Sequence, residues 1–495
     1  GDTFHHPVVR KDVGSRYRLL TDWGVEGEST NMLVVNQAGE PAPGVTLETF
    51  EYNSGTDQIS NVNVLGDTDA DGMLQVTLPA SADTRSLLFR AYDAQGSSLM
   101  TDVRALVERL DTAPRHVFLT PGHDATSMNV AWFTDTSVTE SRVRFGTDGL
   151  SQDVAAQSAV VPFFYGSEAG VVRVHRATLE GLQPGAGYQY QVGANGAMSE
   201  TFGFTTDDGD DRVRIHLFGD TQTLSNENIF NGSGLVTELY RKMQAQLPDG
   251  DLILHVGDVT EDLTDYRLVR LFLEALEGDD MLASHPFVPT QGNHEVYNEG
   301  AQKFADLFPL PESDNGLPAP YDRAVYSFDY GPVHIAVVTS ELQAEEDWPV
   351  MMDWLRRDMN ASDATWKVLM VHRPPYNGNA ASGNGRSLAY IPPVVDETGI
   401  DLVLSGHDHM YSRSLPLSGG KPTPGGATYL IAGSDSAKYY DNNGGGIALV
   451  ADVLFDDNVN TYTTLDIQGD DLHVLTRTLD GTVVDDVTLQ PRTDR

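Results

Sequence analysis

The stretch SGHDHMYSR, residues 405–413, places His407 and His409 two positions apart directly after the apolar run IDLVL. In extended backbone, residues two apart share one side, so both imidazoles face one spot while Asp408 points away. Neutral imidazole is the commonest protein ligand for divalent cations, and two converging rings suit one metal ion or a pair. The plain alternative is a polar turn with two solvated histidines. Four further segments bear on the choice, each a polar motif that ends an apolar run: GDTQ supplies Asp220, GDVTED supplies Asp258, GNHE supplies Asn293 and His294, and VH supplies His372. Together they offer hard oxygen and imidazole nitrogen, enough for two divalent cations. With no cysteine in the chain, any metal must sit on His, Asp, Glu, Asn or Gln. Glycine precedes Asp220, Asp258, Asn293 and His407, as suits a backbone that turns sharply and approaches an ion closely.

These residues are far apart in sequence, so the elements that carry them must bring them together. The apolar runs VRIHLFGD, DLILHVGD, HPFVPTQGNH, HIAVVTSE, WKVLMVH and DLVLSGH alternate with the helical stretches LVTELYRKMQAQL, YRLVRLFLEAL and WPVMMDWLRRDM. Near-continuous apolar strands followed by helices predict sheets covered on both faces, and the loops at the carboxyl ends of such strands gather at one edge. His216, His255 and His334 fall inside strands and read as packing residues. Ahead of this region the period is different. Residues 1 to about 110 carry short alternating runs between Gly, Pro, Asn and Asp clusters, the pattern of an antiparallel sandwich. Within it, DTDADG at 67–72 imitates the start of a calcium loop, but position twelve is Leu78 rather than Glu, so a β-turn is expected. A second β pattern runs from Pro114 to about Thr206, with His123 and Asp124 in one of its turns as solvated residues, and the acidic linker DDGDD at 207–211 closes it.

The ordered series GD, GD, GNHE, H and GHxH resembles the calcineurin-like metallophosphoesterases and is most similar to their purple acid phosphatase branch. The stretches YSFDYGPVHIAVVTSE, VLMVHRPPY and GHDHMYSRS share that likeness, and LEGLQPGAGYQYQV looks like the end of a fibronectin type III domain. The likeness spans about residues 114 to 490. With the sandwich pattern ahead of it, read as an Ig-like β-sandwich (1–112), it implies an α+β multidomain chain that continues with a fibronectin type III-like domain (113–206) and a four-layered αββα catalytic domain (211–495). It implies that Asp258 bridges two ions, that Asp220 and His409 hold the first, that Asn293, His372 and His407 hold the second, and that His294 faces the substrate. Two ions about 3.5 to 4 Å apart clamp a phosphoryl oxygen and acidify a water, whose hydroxide attacks phosphorus in line with the leaving oxygen. The expected activity is therefore hydrolysis of phosphate esters, above all phosphomonoesters, with two divalent transition-metal ions (Zn, Mn or Fe). The rival readings are a phosphodiesterase or nucleotide hydrolase on the same metal core, and a surface adhesion or carbohydrate-binding protein with a vestigial site.

The pattern departs from the branch in three places. Purple acid phosphatases carry a tyrosine three residues after the bridging aspartate, where its phenolate binds ferric iron; here that position is Glu261. Many wider relatives have Asp-x-His at the first motif, where this chain has Gln222. Gln222 or Glu261 is thus a candidate additional ligand, Glu261 having the alternative role of opening the next helix. The loop RPPYNGNAASGNGRS lacks the histidines that often meet substrate in the plant enzymes, which leaves Arg373 and Arg386 as candidate phosphate contacts. The Gly-rich NNGGG at 442–446 reads as a flexible loop near the mouth, without a phosphate-cradle signature.

Composition limits the partners. The formal charge of −40 arises from 72 acidic against 32 basic residues, a surface that repels nucleic acid and anionic lipid. It also repels itself, and screening at about 3 Å in 1 M salt relieves that, so a saline habitat is expected. No apolar run reaches 18 residues, so no membrane span is predicted. The chain starts Gly1-Asp2-Thr3, and a trimmed, secreted or periplasmic form acting on a phosphorylated small molecule is the expectation.

Overall fold

The computed structural model describes residues 16–21, 29–36, 38–53, 58–77, 87–94, 96–99, 101–105, 112–163, 170–222 and 229–492. The six apolar runs of the C-terminal region form strands in two sheets. One sheet orders Phe287–Pro289, Leu252–His255 and Arg212–Phe218 in parallel, then continues antiparallel through Thr461–Gln468, Asp471–Thr478 and Val483–Leu489. The other runs Tyr326–Tyr330, Val333–Val337, Trp366–Met370, Leu402–Ser405, Thr428–Ala432, Tyr411–Ser414 and Ala451–Phe455, with the four strands from Val333 to Ala432 parallel.

Strand alternation decides the layers. Val333, Ile335 and Val337 join Val368, Met370, Leu402 and Leu404 in one core with Val213, Ile215 and Leu217 of the first sheet. Ala336, Leu369 and Val403 point the other way and meet Trp348, Met351 and Leu355 of Asp347–Ala361 and Ile391 and Val394 of Gly385–Thr398. On the first sheet, Ile229–Gln246 and Tyr266–Ala275 contribute Val236, Leu239, Met243 and Phe272. The result is helices, sheet, sheet, helices, and each large side chain buried in it is worth roughly 2 kcal/mol. Because the leading strands of both sheets are parallel, their carboxyl ends meet along one edge.

His216 and His255 are neutral packing groups, lowered by burial to about 4 and about 3. His334 is not. Burial would lower it, but Asp329 at 2.7 Å and Asp358 at 2.8 Å outweigh burial and raise it to about 9, so it is a buried cation clamped between two carboxylates. A strand histidine can be an ion-pair centre when the neighbouring strand and helix each place an acid beside it.

Two β units precede these two sheets. In the second, one face of the sheet holding Arg115–Pro121, Ser127–Thr134, Gln157–Phe163 and Gly170–Glu180 sends Phe118, Phe133, Phe163 and Val172 into the core of the C-terminal region. Its other face, with Val117, Val130 and Trp132, packs on Phe145, Tyr188 and Tyr190. The two tyrosines are structural, as their motif suggests: Tyr188 Oη accepts from the Gln183 N–H at 2.9 Å, and Tyr190 Oη donates to the Ala283 carbonyl at 2.6 Å. The described strands of the first unit form two four-stranded sheets around Leu19, Met32, Val34, Leu47 and Phe89. DTDADG is the turn between Gln58–Asp67 and Met73–Thr77. Asp69 Oδ1 accepts the N–H groups of Asp71 and Met73, both at 2.9 Å, while Asp71 pairs with Arg173 at 2.7 Å. Leu78 lies outside the described residues. No helix among the described residues is long and apolar enough to cross a membrane.

Candidate metal centre

Each sheet delivers three of the six expected ligands to the shared edge: Asp220, Asp258 and Asn293 from one, His372, His407 and His409 from the other. Asp258 touches donors from both sheets. Its Oδ2 is 3.1 Å from His372 Nε2, which in turn is 3.1 Å from Asn293 Oδ1 and 3.2 Å from His407 Nδ1. Ligand atoms of Asp258, His372 and His407 all lie within 4.8 Å of one another. Next to these stand Asp220, with Oδ1 at 3.6 Å from His409 Nε2 and both oxygens accepting the His407 N–H, and Gln222, whose Nε2 is 3.3 Å from the same Asp258 Oδ2. Gln222 is buried and its Oε1 has no hydrogen-bond partner among the described residues.

The backbone that presents these side chains is held in unusual conformations. Asp220, Gln222, Asp258, His407 and His409 all have positive φ, between 32° and 71°, a region that non-glycine residues seldom enter. Five strained residues at one spot point to a site that the surrounding fold over-determines. The expected His407–Asp408–His409 alternation is therefore achieved by a loop after Leu402–Ser405, not by strand geometry. Asp408 does turn away, accepting the Gly378 N–H at 2.5 Å. Of the four motif glycines only Gly257 has positive φ, at 100°. Gly292 and Gly406 are needed for room: a Cβ there would lie 2.3 Å from Asp258 Oδ1 and 2.5 Å from Asp220 Oδ2.

Every histidine of the site gives one ring nitrogen to a backbone carbonyl and keeps the other for the cluster. His372 Nδ1 donates to Val256 O at 2.8 Å, His407 Nε2 to Ser382 O at 2.8 Å, His409 Nδ1 to Lys438 O at 2.8 Å, and His294 Nδ1 to Glu261 O at 2.6 Å. Such bonds fix tautomer and ring orientation, as in metal sites generally. A residue that sequence reasoning missed completes the frame. Glu295 is fully buried, and its carboxylate accepts the N–H groups of Asp258, Val259 and Gly292, each at 2.8 Å, tying the GD and GN loops together. The only hint in sequence was the acid after GNH. Asp435 does the same for the first motif, accepting the Gly219 N–H at 2.7 Å.

Electrostatics at the site call for positive charge. Asp220, Asp258 and Glu295 are all buried. Burial raises Asp220 well above the usual carboxylate range and Glu295 to about 8. Burial would raise Asp258 too, but His372 against it holds it well below that range, and Asp258 outweighs burial in raising His372 to about 10. Burial lowers His407, with His372 and Arg373 adding to it, and burial lowers His409 to about 3, leaving neutral imidazoles fit to ligate. The donor set, the orphaned Gln222 oxygen and the glycine cradle thus fit a pair of cations.

The remaining candidates divide. His294 is buried beside the cluster, its Nε2 3.9 Å from Asp258 Oδ2 and its N–H donating to Asp258 Oδ1 at 3.0 Å. Glu261 lies alongside His294, 3.8 Å from Nδ1, and does not open the next helix, which starts at Tyr266 behind an Asp265 cap. Arg373 reaches His407 at 3.1 Å, yet its guanidinium is already engaged by Glu341 Oε1 at 2.7 Å and Ser382 O at 2.5 Å. The structure does not bring Arg386 to the cluster; it binds Leu342 O at 2.8 Å and Glu345 at 2.7 Å. NNGGG is tied down rather than loose. Asn443 and Gly445 donate to Gly378 O, Gly446 donates to Asn377 Oδ1, and a Cβ on Gly445 would sit 2.1 Å from Asn377 O.

Residues 114–206 match the family described as Purple acid Phosphatase, N-terminal domain, and residues 213–411 match Calcineurin-like phosphoesterase. The acid phosphatase type 7 of Homo sapiens is 29% identical over 365 residues, which cover 65% of this chain and 78% of that one. A purple acid phosphatase of Glycine max is 24% identical over 322 residues, 62% of this chain and 67% of its own. The purple acid phosphatase PPD1 from Lupinus luteus seeds shares the fold over 97% of both chains, with a TM-score of 0.63 and 17% identity. Two consecutive family matches, relatives of that name and a site built from both sheet tips agree: the chain belongs to the calcineurin-like metallophosphoesterases, in the purple acid phosphatase branch, and is a metal-dependent phosphatase of phosphomonoesters.

Proposed function

We propose that Asp220, Asp258, Gln222 and His409 hold one divalent transition-metal ion and that Asp258, Asn293, His372 and His407 hold the other. The observation that carries this is the convergence of these donors from both sheets on Asp258 and Asp220, with every histidine ring of the set oriented by a carbonyl. Glu261 stands where the coloured enzymes have the phenolate, and with the neutral Gln222 amide near Asp258 the site suits Zn, Mn or ferrous iron rather than a ferric centre. Bound cations would neutralise the phosphoryl charge and acidify the attacking water. The chain's own residues do the rest. His294 acts here as the doubly protonated ring: with Nδ1–H fixed on Glu261 O, it presents Nε2–H to the substrate and passes that proton to the leaving oxygen as the ester P–O bond breaks and the water oxygen bonds to phosphorus, which leaves the ring neutral. Glu295 keeps Asp258 and Gly292 in register, and Arg373 braces His407 through Ser382.

The same reading takes the middle β unit as fibronectin type III-like, with boundaries at 1–112, 113–206 and 211–495. It places the enzyme outside the cytoplasm, secreted or periplasmic, in salty surroundings to which a charge of −40 is suited. Metal analysis with p-nitrophenyl phosphate and its bis-ester tests the core of it. Two transition metals per chain and faster turnover of the monoester are expected. Less than one metal per chain with no chelator-sensitive turnover would sink the assignment.

A further inference from the structure

Tyr297 is 47% exposed, although it follows three buried residues of the GNHE motif, Asn293, His294 and Glu295. Its ring stands edge-on to His294, centroids 5.0 Å apart at 70°, and its hydroxyl accepts from Asn293 Nδ2 at 3.0 Å. The turn that presents it is costly: the next two residues, Asn298 and Glu299, both have positive φ, at 51° and 71°. Asn298 is anchored to Asp262 at 2.9 Å, so the turn is tied to the loop that also holds His294. The other tyrosine at the cluster, Tyr440, packs on His409 at 4.9 Å, but Lys438 Nζ lies over its ring at 5.6 Å. What sets Tyr297 apart from other exposed apolar side chains is its place, a ring held beside His294 and Asn293 with a surface still able to stack.

We propose that Tyr297 is a platform for the leaving group, so that this enzyme favours phosphomonoesters whose alcohol carries an aromatic ring a few bonds from the ester oxygen. The inference rests on the reading that His294 meets that oxygen. A leaving oxygen within about 3 Å of His294 Nε2 brings a ring two or three bonds away against the open face of Tyr297, whose centroid is 5.0 Å from that of His294. Burying and stacking two rings amounts to about tenfold in kcat/KM. The Asn293 bond fixes the ring's tilt, and the phenol itself is not needed for stacking.

The test compares 2-phenylethyl phosphate with ethyl phosphate, whose leaving alcohols differ little in basicity, in the metal-loaded wild type, Tyr297→Phe and Tyr297→Leu. The wild type should prefer the phenylethyl ester about tenfold in kcat/KM, Tyr297→Phe should keep that ratio even if both rates fall, and Tyr297→Leu should lose most of it. A wild-type ratio near one, or a ratio unchanged in Tyr297→Leu, overturns the proposal, as does loss of the ratio in Tyr297→Phe. Turnover of p-nitrophenyl phosphate by the wild type separates the two readings. Without it the phosphatase assignment falls; with it and no phenylethyl preference, only the platform does.

Discussion

At the scale of single residues, the site works because each imidazole has one nitrogen committed before any ion arrives. The Val256, Ser382, Lys438 and Glu261 carbonyls do this for His372, His407, His409 and His294. Residue type and order in the sequence, with the family resemblance, were enough to single out Asp220, Asp258, Asn293, His372, His407, His409 and His294, which the fold brings to one edge. They could not show the carbonyl partners, since those lie on other loops, nor Glu295, whose role depends on three N–H groups brought to it by the fold. Arg386 was misleading because a guanidinium near a phosphate motif is ambiguous until its neighbours are known, and Glu345 claims it. Asp258→Asn and His407→Ala should abolish phosphatase activity with circular dichroism little changed; near-full turnover in either would contradict their roles. His294→Ala should slow kcat by roughly 10² to 10⁴ with metal content unaltered, the range for a lost acid or base.

Among the elements, strands were legible because runs such as DLILHV and WKVLMV are apolar throughout, and their ends carried the chemistry. Loop conformation was not. Nothing in GHDH announces that both histidines take positive φ, and NNGGG looks slack although three of its residues bond to the 377–378 segment. The ion-pair role of His334 was hidden too, because Asp329 and Asp358 reach it from the adjacent strand and from the helix Asp347–Ala361. Its value of about 9 exceeds the ordinary 6.5, so the stability it contributes is complete below about pH 6.5 and is lost as pH rises through about 9. Replacing it, His334→Gln, should therefore cost about 2 kcal/mol near pH 6, discounted for the exposed Asp329, and much less at pH 10. Thermal unfolding at the two pH values checks this; an equal loss at both would show that packing, not charge, is what His334 supplies.

For the whole molecule, the charge of −40 and the convergence of two sheets are the governing facts. The first opposes compactness at low ionic strength, and Tm should rise between dilute buffer and molar NaCl; a flat or falling Tm would remove the case for saline adaptation. The second is what turns six scattered side chains into one centre, with the apolar face of Phe118, Phe133 and Phe163 seating the middle β unit against the same domain. An anomalous-scattering map from crystals of the metal-loaded protein tests that convergence most directly. It should show two peaks, one among Asp220, Gln222, Asp258 and His409 and one among Asp258, Asn293, His372 and His407. A single peak, or density bound elsewhere on the acidic surface while this cluster stays empty, would contradict a dinuclear centre held between the sheets.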